Sequence, residues 1–222
     1  MTLCIIPARS NSKRLPNKNI LPFAGKPMVA SVIENCKNST VFSKIIVSSE
    51  DDEVLKIASA FDATPHKRSA DLATDTASVV GVCTEVLKAN ECNVFCCVYP
   101  TSVLLTARTI EKSNKHFLQF SVESCSVMMG VSRFEFAPVQ ALVPKADGCW
   151  ELLIKEFEKK KSQDFPETRV SNGTFYWAYK NNFIKEKTFY TRKLRVFDVD
   201  PEEVSDLNVQ ADYDKLLSKL SA

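Results

Sequence analysis

The sequence predicts an α/β fold, a single domain of three layers with a mostly parallel sheet at its centre. Three observations carry that expectation. Residues 3–6, 45–47 and 94–99 are short apolar runs, the pattern of strands buried on both faces of a sheet. Helix-length stretches separate them, opened by Pro27 or by the acids at 50–52. Strand and helix in alternation is the signature of βαβ units and a parallel sheet.

The 222 residues are 45% hydrophobic, enough for one domain with a proper core. A formal net charge of +2 argues against a broad field for nucleic acid or membrane surfaces, so any basic site has to be local. No signal peptide is expected, because the first apolar run is short and ends at Pro7. No apolar stretch is long enough for a bilayer span. The eight cysteines sit mostly within apolar patterns and make no paired C-x-x-C set. That suggests buried thiols in a reducing cytoplasm rather than disulfides or zinc.

In chain order, the first strand gives way after Pro7 to a polar loop. It holds Arg9, Lys13, Arg14 and Lys18 among Ser10, Asn11, Ser12, Asn17 and Asn19. Open α/β sheets place ligand groups outside the carboxyl ends of their strands. Four cations among hydrogen-bond donors suit a polyanion such as a triphosphate. The loop lacks a Walker glycine pattern, and a solvated surface loop is the plainer alternative. Gly25-Lys26-Pro27 makes a turn, and Pro27 opens a helix to about Asn38. Residues 44–48 are the second strand, and Ser49, Glu50, Asp51 and Asp52 start the second helix. Residues 66–78 read as a polar loop whose Asp75 or Thr76 caps a helix to about Ala89. Residues 94–99 form a central strand with Pro100-Thr101-Ser102 at its carboxyl end, and Thr106 caps a helix to about Phe117.

Residues 126–131 are another buried strand, in which Met128 and Met129 fill core. Residues 133–165 break the alternation with an apolar excursion that turns at Asp147-Gly148. Asn172-Gly173 reads as a turn into a strand. Asp198 and Asp200 alternate, so in a strand both carboxylates face one side. Asp206 and Asn208 do the same just before a last helix at 209–220. Either pair suits Mg²⁺, a hard cation that takes carboxylate and phosphate oxygens, and charge alone favours Asp198 with Asp200.

Several of these stretches together resemble the sugar-acid cytidylyltransferases, which include the CMP-sialic acid synthetases. I-I-P-A-R, S-K-R-L-P, K-N and F-A-G-K-P open the chain at that family's spacing, with Ser10 and Asn11 in place of its loop glycines. Residues 66–78 resemble the family segment that lies against cytidine, with Arg68 in the arginine position and Ser69 in place of proline. Pro100, Thr101, Ser102 and Leu104 match the end of the central strand, where Tyr99, Val103 and Leu105 replace glutamine, proline and arginine. Gln163, Asp164, Pro166, Asn172, Gly173 and Tyr176 match a further pair of motifs, with Val170 for an arginine and Arg169 adjacent. Asp206, Leu207, Asn208 and Asp212 match the pattern that precedes the last helix, with Asn208 for an aspartate. The V-Y-P-T-S strand end resembles the pseudaminic acid branch more than the sialic acid branch.

The resemblance implies a Rossmann-like nucleotide-diphospho-sugar transferase fold over residues 1–222. Residues 133–165 would be an arm that packs on a second subunit, giving a homodimer. It implies a cytoplasmic enzyme that transfers CMP from CTP to a nine-carbon keto-sugar acid, with no nucleic acid or membrane partner. Arg9 and Lys18 would be catalytic. Ala8, Arg9, Ser10, Asn11, Lys18, Asn19, Arg68 and Ser78 would hold the nucleotide. Tyr99, Thr101, Ser102, Gln163, Asp164, Arg169, Asn172 and Tyr176 would hold the sugar acid. The same resemblance selects Asp206 with Asn208 for Mg²⁺ over Asp198 with Asp200. Legionaminic or 3-deoxy-octulosonic acid would present the same carboxylate beside an anomeric hydroxyl. The alternative from another class is a nucleotide-binding protein of this fold without turnover. Leu105, Val170 and Asn208 speak for it, and Arg9, Lys18 and Arg68 speak against it.

Overall fold

Leu3, Cys4, Ile5 and Ile6 are fully buried, and their strand β1 (Thr2–Pro7) lies inside a seven-stranded sheet. The computed structural model describes residues 1–222 apart from Asn11, Lys13, Asp75, Ser221 and Ala222. After β1 come β2 (Pro22–Phe23), β3 (Lys26–Pro27), α1 (Met28–Asn38), β4 (Lys44–Ser49), α2 (Asp52–Ala60) and β5 (Thr64–Lys67). Then follow α3 (Val79–Lys88), β6 (Val94–Val98), α4 (Ala107–Phe117) and β7 (Val127–Arg133). The chain ends with β8 (Leu142–Pro144), β9 (Trp150–Leu152), β10 (Arg169–Tyr179), α5 (Lys180–Glu186), β11 (Leu194–Asp198) and α6 (Gln210–Ser218).

The large sheet runs β11-β7-β10-β6-β1-β4-β5. β5, β4, β1 and β6 pair in parallel, as do β7 and β11, while β10 is antiparallel to both β6 and β7. Alternate side chains of each strand feed two cores. Cys4, Ile6, Val47, Cys96 and Trp177 meet α1, α2, α4 and α6 on one face. Leu3, Ile5, Phe95, Cys97 and Tyr176 meet α3 and α5 on the other. The expected three layers and mostly parallel sheet are therefore present. Cys149 is exposed and the other seven cysteines are buried. Among the described residues no helix is long and apolar enough to cross a membrane.

Because β10 runs against its neighbours, its first residues lie at the edge where β6 and β7 end. Arg169 pairs with Arg133 and Val170 with Ser132. The ladder then breaks: Ser171 opposes Val131 and Tyr176 opposes Met129, so residues 172–175 face Gly130 alone. Asn172-Gly173 therefore lies in a bulge inside the strand, not in a turn before it. Gly173 takes φ +66°, and Asn172 Oδ1 accepts from the Thr174 hydroxyl at 2.7 Å and its N–H at 3.2 Å. A β-carbon on Gly130 would lie 2.3 Å from Thr174 Oγ1, so only glycine leaves room for the bulge.

Other expectations need correction. Residues 64–67 form an edge strand on β4, whereas the sequence reads as a loop from 66. Pro65 is tolerated there because an edge strand has an unpaired side. α2 starts at Asp52 with Asp51 as its cap, accepting from Glu53 N at 2.8 Å, so Ser49 stays in β4 and Glu50 is released into the connection. α3 is capped by Ser78, which accepts from Gly81 N at 3.0 Å, rather than by Thr76. The other proposed cap, Asp75, lies outside the described residues. β11 ends at Asp198, and Asp200 turns away to accept from Glu202 N at 3.0 Å. Asp198 and Asp200 therefore do not share a strand face. The excursion does turn at 145–149, with β8 and β9 paired antiparallel and Gly148 at φ +83°.

Gly130→Ala should lower stability by about 1–3 kcal/mol through overpacking of the bulge. Adding Thr174→Ala should recover part of the loss. Thermal denaturation of the three proteins checks this, and equal melting of wild type and Gly130→Ala would sink the packing argument.

Candidate active site

The polar edge is built outward from the end of β1. Ala8 is buried, and its N–H donates to Ser48 O at 2.9 Å, carrying the β1–β4 pairing one step past the strand. The loop that follows is pinned from beneath by buried Leu15 and by Asn19, which is 2% exposed. Asn19 Nδ2 donates to Arg9 O at 2.7 Å, and Asn19 Oδ1 is buried with no hydrogen-bond partner among the described residues. Ser10 gives both its N–H and its hydroxyl to Glu50 Oε1, at 2.7 and 2.9 Å.

Glu50 joins this loop to the next. Its other oxygen stands 3.6 Å from Arg68 Nε, close enough for charge attraction and too far for a hydrogen bond. Arg68 is 7% exposed, and its two terminal nitrogens donate to Ser48 O and to Leu72 O. Burial pushes the Glu50 carboxyl up, but the donors of Ser10 and the charge of Arg68 outweigh it and hold the group below the usual range. Burial lowers the Arg68 guanidinium, with Glu50 working against it. In the sequence alone, Glu50 stands as a helix-start acid. Its position one residue past β4, at the ligand edge of a parallel sheet, was the available signal.

The chain's last segment closes over the same loop. Lys18 Nζ donates to Leu207 O at 3.1 Å. Burial pulls the Lys18 amine down, Asp206 opposes that, and Arg9 and Arg14 add to it. Arg14 Nη2 donates to Asn208 Oδ1 at 2.7 Å, and Asn208 Nδ2 donates to Asp206 Oδ2 at 2.9 Å. Ser205 Oγ donates to Thr101 O at 2.6 Å, tying this segment to the end of β6. A cavity of about 500 Å³ opens here, lined by Asp206, Leu207, Ser205, Ser132 and Leu104 among others.

The residues assigned to the sugar acid differ in their settings. Tyr99 is half-buried at the end of β6, packed on Tyr176 at 5.7 Å between centroids and beside the Gly173 backbone. Burial pushes its phenol up. Asn172 lies in the β10 bulge and donates to Ser132 Oγ at 3.1 Å. Thr101 and Ser102 are buried, and Ser102 Oγ donates to Thr174 O at 3.1 Å, so both serve as framework. Tyr176 is 7% exposed and stacked on Phe189 at 4.5 Å, supporting Tyr99 from the core. Arg169 is bound to Asp198 at 2.5 Å and Glu167 at 2.6 Å, which raise its guanidinium. Gln163 and Asp164 are exposed on the short turn Ser162–Asp164, and their side chains make no hydrogen bond among the described residues. Of the nucleotide set, Ala8, Arg9, Ser10, Lys18, Asn19 and Arg68 gather at the β1–β4 edge. Ser78 caps α3 nearby and is exposed, and Asn11 lies outside the described residues.

The family model described as Cytidylyltransferase matches residues 3–215. The chain belongs to the cytidylyltransferase family. It is 30% identical over 227 residues to a pseudaminic acid cytidylyltransferase of Campylobacter jejuni, spanning 99% of this chain and 97% of that one. It is 29% identical over 197 residues to a CMP-N,N'-diacetyllegionaminic acid synthase of Legionella pneumophila, over 85% and 82% of the two chains. Among solved structures, a CMP:2-keto-3-deoxy-manno-octonic acid synthetase complexed with CTP superposes with a TM-score of 0.73 at 15% identity. That likeness covers 99% of this chain and 98% of the other, and it establishes the Rossmann-like nucleotide-sugar transferase fold.

Within this cytidylyltransferase the donor chemistry fits Mg²⁺ through Asp206. Mg²⁺ needs few protein carboxylates when phosphates and water complete its shell. Asp206 is exposed beside the cationic loop, whereas Asp198 is taken by Arg169 and Asp200 by a backbone N–H. The oxygen of Asn208 is engaged by Arg14. Among the described residues no group of three or more His, Cys, Asp or Glu converges as a metal site.

Glu50→Gln keeps an acceptor for Ser10 and removes the charge that faces Arg68. We expect it to cost about 1–3 kcal/mol at pH 7, read by urea denaturation. The folded Glu50 value is lowered, so its contribution is complete above the unfolded value of about 4.3 and is lost as pH falls through the folded one. The difference between the two proteins should therefore shrink in acid. A constant difference from about pH 7 down to about pH 3 would mean that the charge is not what matters.

Proposed function

We propose that the chain transfers CMP from CTP to a nine-carbon keto-sugar acid of the pseudaminic or sialic type and releases pyrophosphate. The observation that carries this reading is the cationic loop at the carboxyl edge of the sheet, closed by the segment that bears Asp206. The full-length likeness to a pseudaminic acid cytidylyltransferase supports the choice of acceptor. Legionaminic or 3-deoxy-octulosonic acid would fit the same chemistry.

In this reading the anomeric hydroxyl of the sugar acid attacks the α-phosphorus of CTP. A new P–O bond forms to the sugar, the bond to the β-phosphate breaks, and the hydroxyl proton leaves to water. The protein's part is positioning and charge neutralisation. Arg9 and Lys18 offset the charge on the triphosphate, Ser10 and the buried Ala8 shape the loop beneath it, and Asn19 offers its unpartnered Oδ1 as an acceptor. Arg68 is held rigid for the nucleoside side by Ser48, Leu72 and Glu50. Tyr99 and Asn172 border the space left for the sugar acid. Mg²⁺ held by Asp206 would polarise phosphate oxygens and stabilise the departing pyrophosphate.

The same reading includes a homodimer in the cytoplasm. Phe136, Leu142, Trp150 and Leu153 of the 133–165 excursion are 77%, 56%, 63% and 59% exposed. Apolar exposure of that extent on one short segment suits a second copy of the chain. The buried free thiols fit a reducing compartment.

Pyrophosphate release from CTP with a panel of sugar acids tests the activity. Lys18→Ala should lower kcat/KM for CTP on the order of 10²-fold with little change in melting temperature. Normal turnover by Lys18→Ala would overturn the assignment, and CTP binding without any pyrophosphate would favour the binding protein without turnover. Replacing Phe136 and Leu142 with serine should shift the mass in solution from dimer toward monomer. A wild-type chain that is already monomeric at micromolar concentration would refute the interface.

A further inference from the structure

The turn after β5 is anchored to α3 by Glu85, a residue that plays no part in the reading above. Glu85 takes both donors of Ser69: Ser69 N donates to Oε1 at 3.2 Å and Ser69 Oγ to Oε2 at 2.6 Å. Glu85 Oε1 also stands 3.5 Å from His66 Nε2, a charge contact only when that ring is protonated. Four residues earlier on α3, Gly81 meets the other end of the same turn, where a β-carbon would lie 2.9 Å from Leu72 Cδ2. Residues 81 and 85 share one face of the helix, so α3 offers a platform to residues 69–72. The turn closes on itself, with Leu72 N donating to Ser69 O at 3.0 Å.

Arg68 is held partly by that turn. Its Nη1 donates to Leu72 O at 3.4 Å, its Nη2 donates to Ser48 O, and its Nε stands 3.6 Å from Glu50. Burial disfavours the charged guanidinium; Glu50 and Glu85 oppose that, Arg9 adds to it and Cys83 opposes it. The next residue, Ser69, has φ −63°. A proline ring fixes φ near that value, at about −65°, and has no N–H to donate. This chain has serine where the family pattern has proline. Here the turn is kept by two hydrogen bonds to Glu85, one of them from the N–H that a proline would lack.

Resting on the CTP reading, we propose that Glu85 is a positioning residue for the nucleoside side of the site: through Ser69 it holds the turn whose Leu72 carbonyl keeps the Arg68 guanidinium in place. The clamp between Glu85 and Ser69 then substitutes a pair of hydrogen bonds for the covalent restraint of a proline ring. Glu85 itself touches no substrate in this role.

The test is calorimetric titration of CTP in Mg²⁺ buffer with no sugar acid present, on variants whose folding is checked by melting temperature. Glu85→Ala weakens CTP binding by about tenfold, because both bonds to Ser69 are lost. Ser69→Pro binds within about twofold of wild type, since the ring supplies the same φ, and Ser69→Pro with Glu85→Ala binds like Ser69→Pro alone. Rescue by a proline is a result that a general loosening of α3 would not give. Should Ser69→Pro fail to fold, Ser69→Ala carries the test: it weakens binding by about threefold, and adding it to Glu85→Ala costs nothing further. Glu85→Ala that binds CTP like wild type overturns the proposal. So does a double variant with proline that stays as weak as Glu85→Ala, because Glu85 would then act only by its charge on Arg68. Losses from Ser69→Ala and Glu85→Ala that simply add also overturn it. A wild type that does not bind CTP would instead overturn the CTP reading, and this inference with it.

Discussion

Glu50 sits where the loop after β1 meets the arginine after β5, and its two oxygens serve the two sides. Arg68 is almost wholly buried, and a guanidinium in that position is tolerable only with a counter-charge and with acceptors for its donors. Ser48 and Leu72 accept from its two terminal nitrogens, and Glu50 supplies the charge beside Nε, which has no acceptor among the described residues. The oxygen turned the other way takes both donors of Ser10. One side chain therefore fixes three stretches that are distant in sequence, and it does so before any ligand arrives. A site arranged in advance need not reorganise when its ligand binds.

Much of this was legible in the sequence, for reasons that differ by element. β1, β4 and β6 were readable because a strand buried on both faces must be apolar throughout. α1 and α4 were readable because Pro27 and Thr106 mark helix starts by their own chemistry. β5 was hidden by its polar composition and its proline. The bulge of β10 was hidden because Asn-Gly codes equally well for a hairpin. Glu50 was hidden because an acid before a helix already has a local explanation, while its partner Ser10 is forty residues away. Alternation correctly placed Asp198 in a strand but gave no sign that the strand stops there.

Motif matching also merged two kinds of residue. Tyr99 and Asn172 are half-buried, whereas Ser102, Thr101 and Tyr176 are buried in the frame. A matching letter does not separate the group that touches a ligand from the group that holds the first one in place. The tail shows the same limit. Its acidic residues were visible, but the contacts that give them meaning are long-range: Lys18 to Leu207, Thr101 to Ser205, and Pro22 to Tyr213. The site therefore forms only when both ends of the chain have docked, a non-local arrangement that favours slow, cooperative assembly.

The excursion between β7 and β10 leaves and re-enters the sheet at adjacent positions, since Arg133 and Arg169 are register partners. Its two roots are held together by the ladder whatever lies between them. Lengthening such a loop costs only slowly growing closure entropy, and the strands that carry the site need not shift. The segment behaves as a module that is swappable in length and surface. Descendants of this scaffold are free to change what the excursion grips, or to accept a domain inserted there, while the geometry at the sheet edge stays as it is.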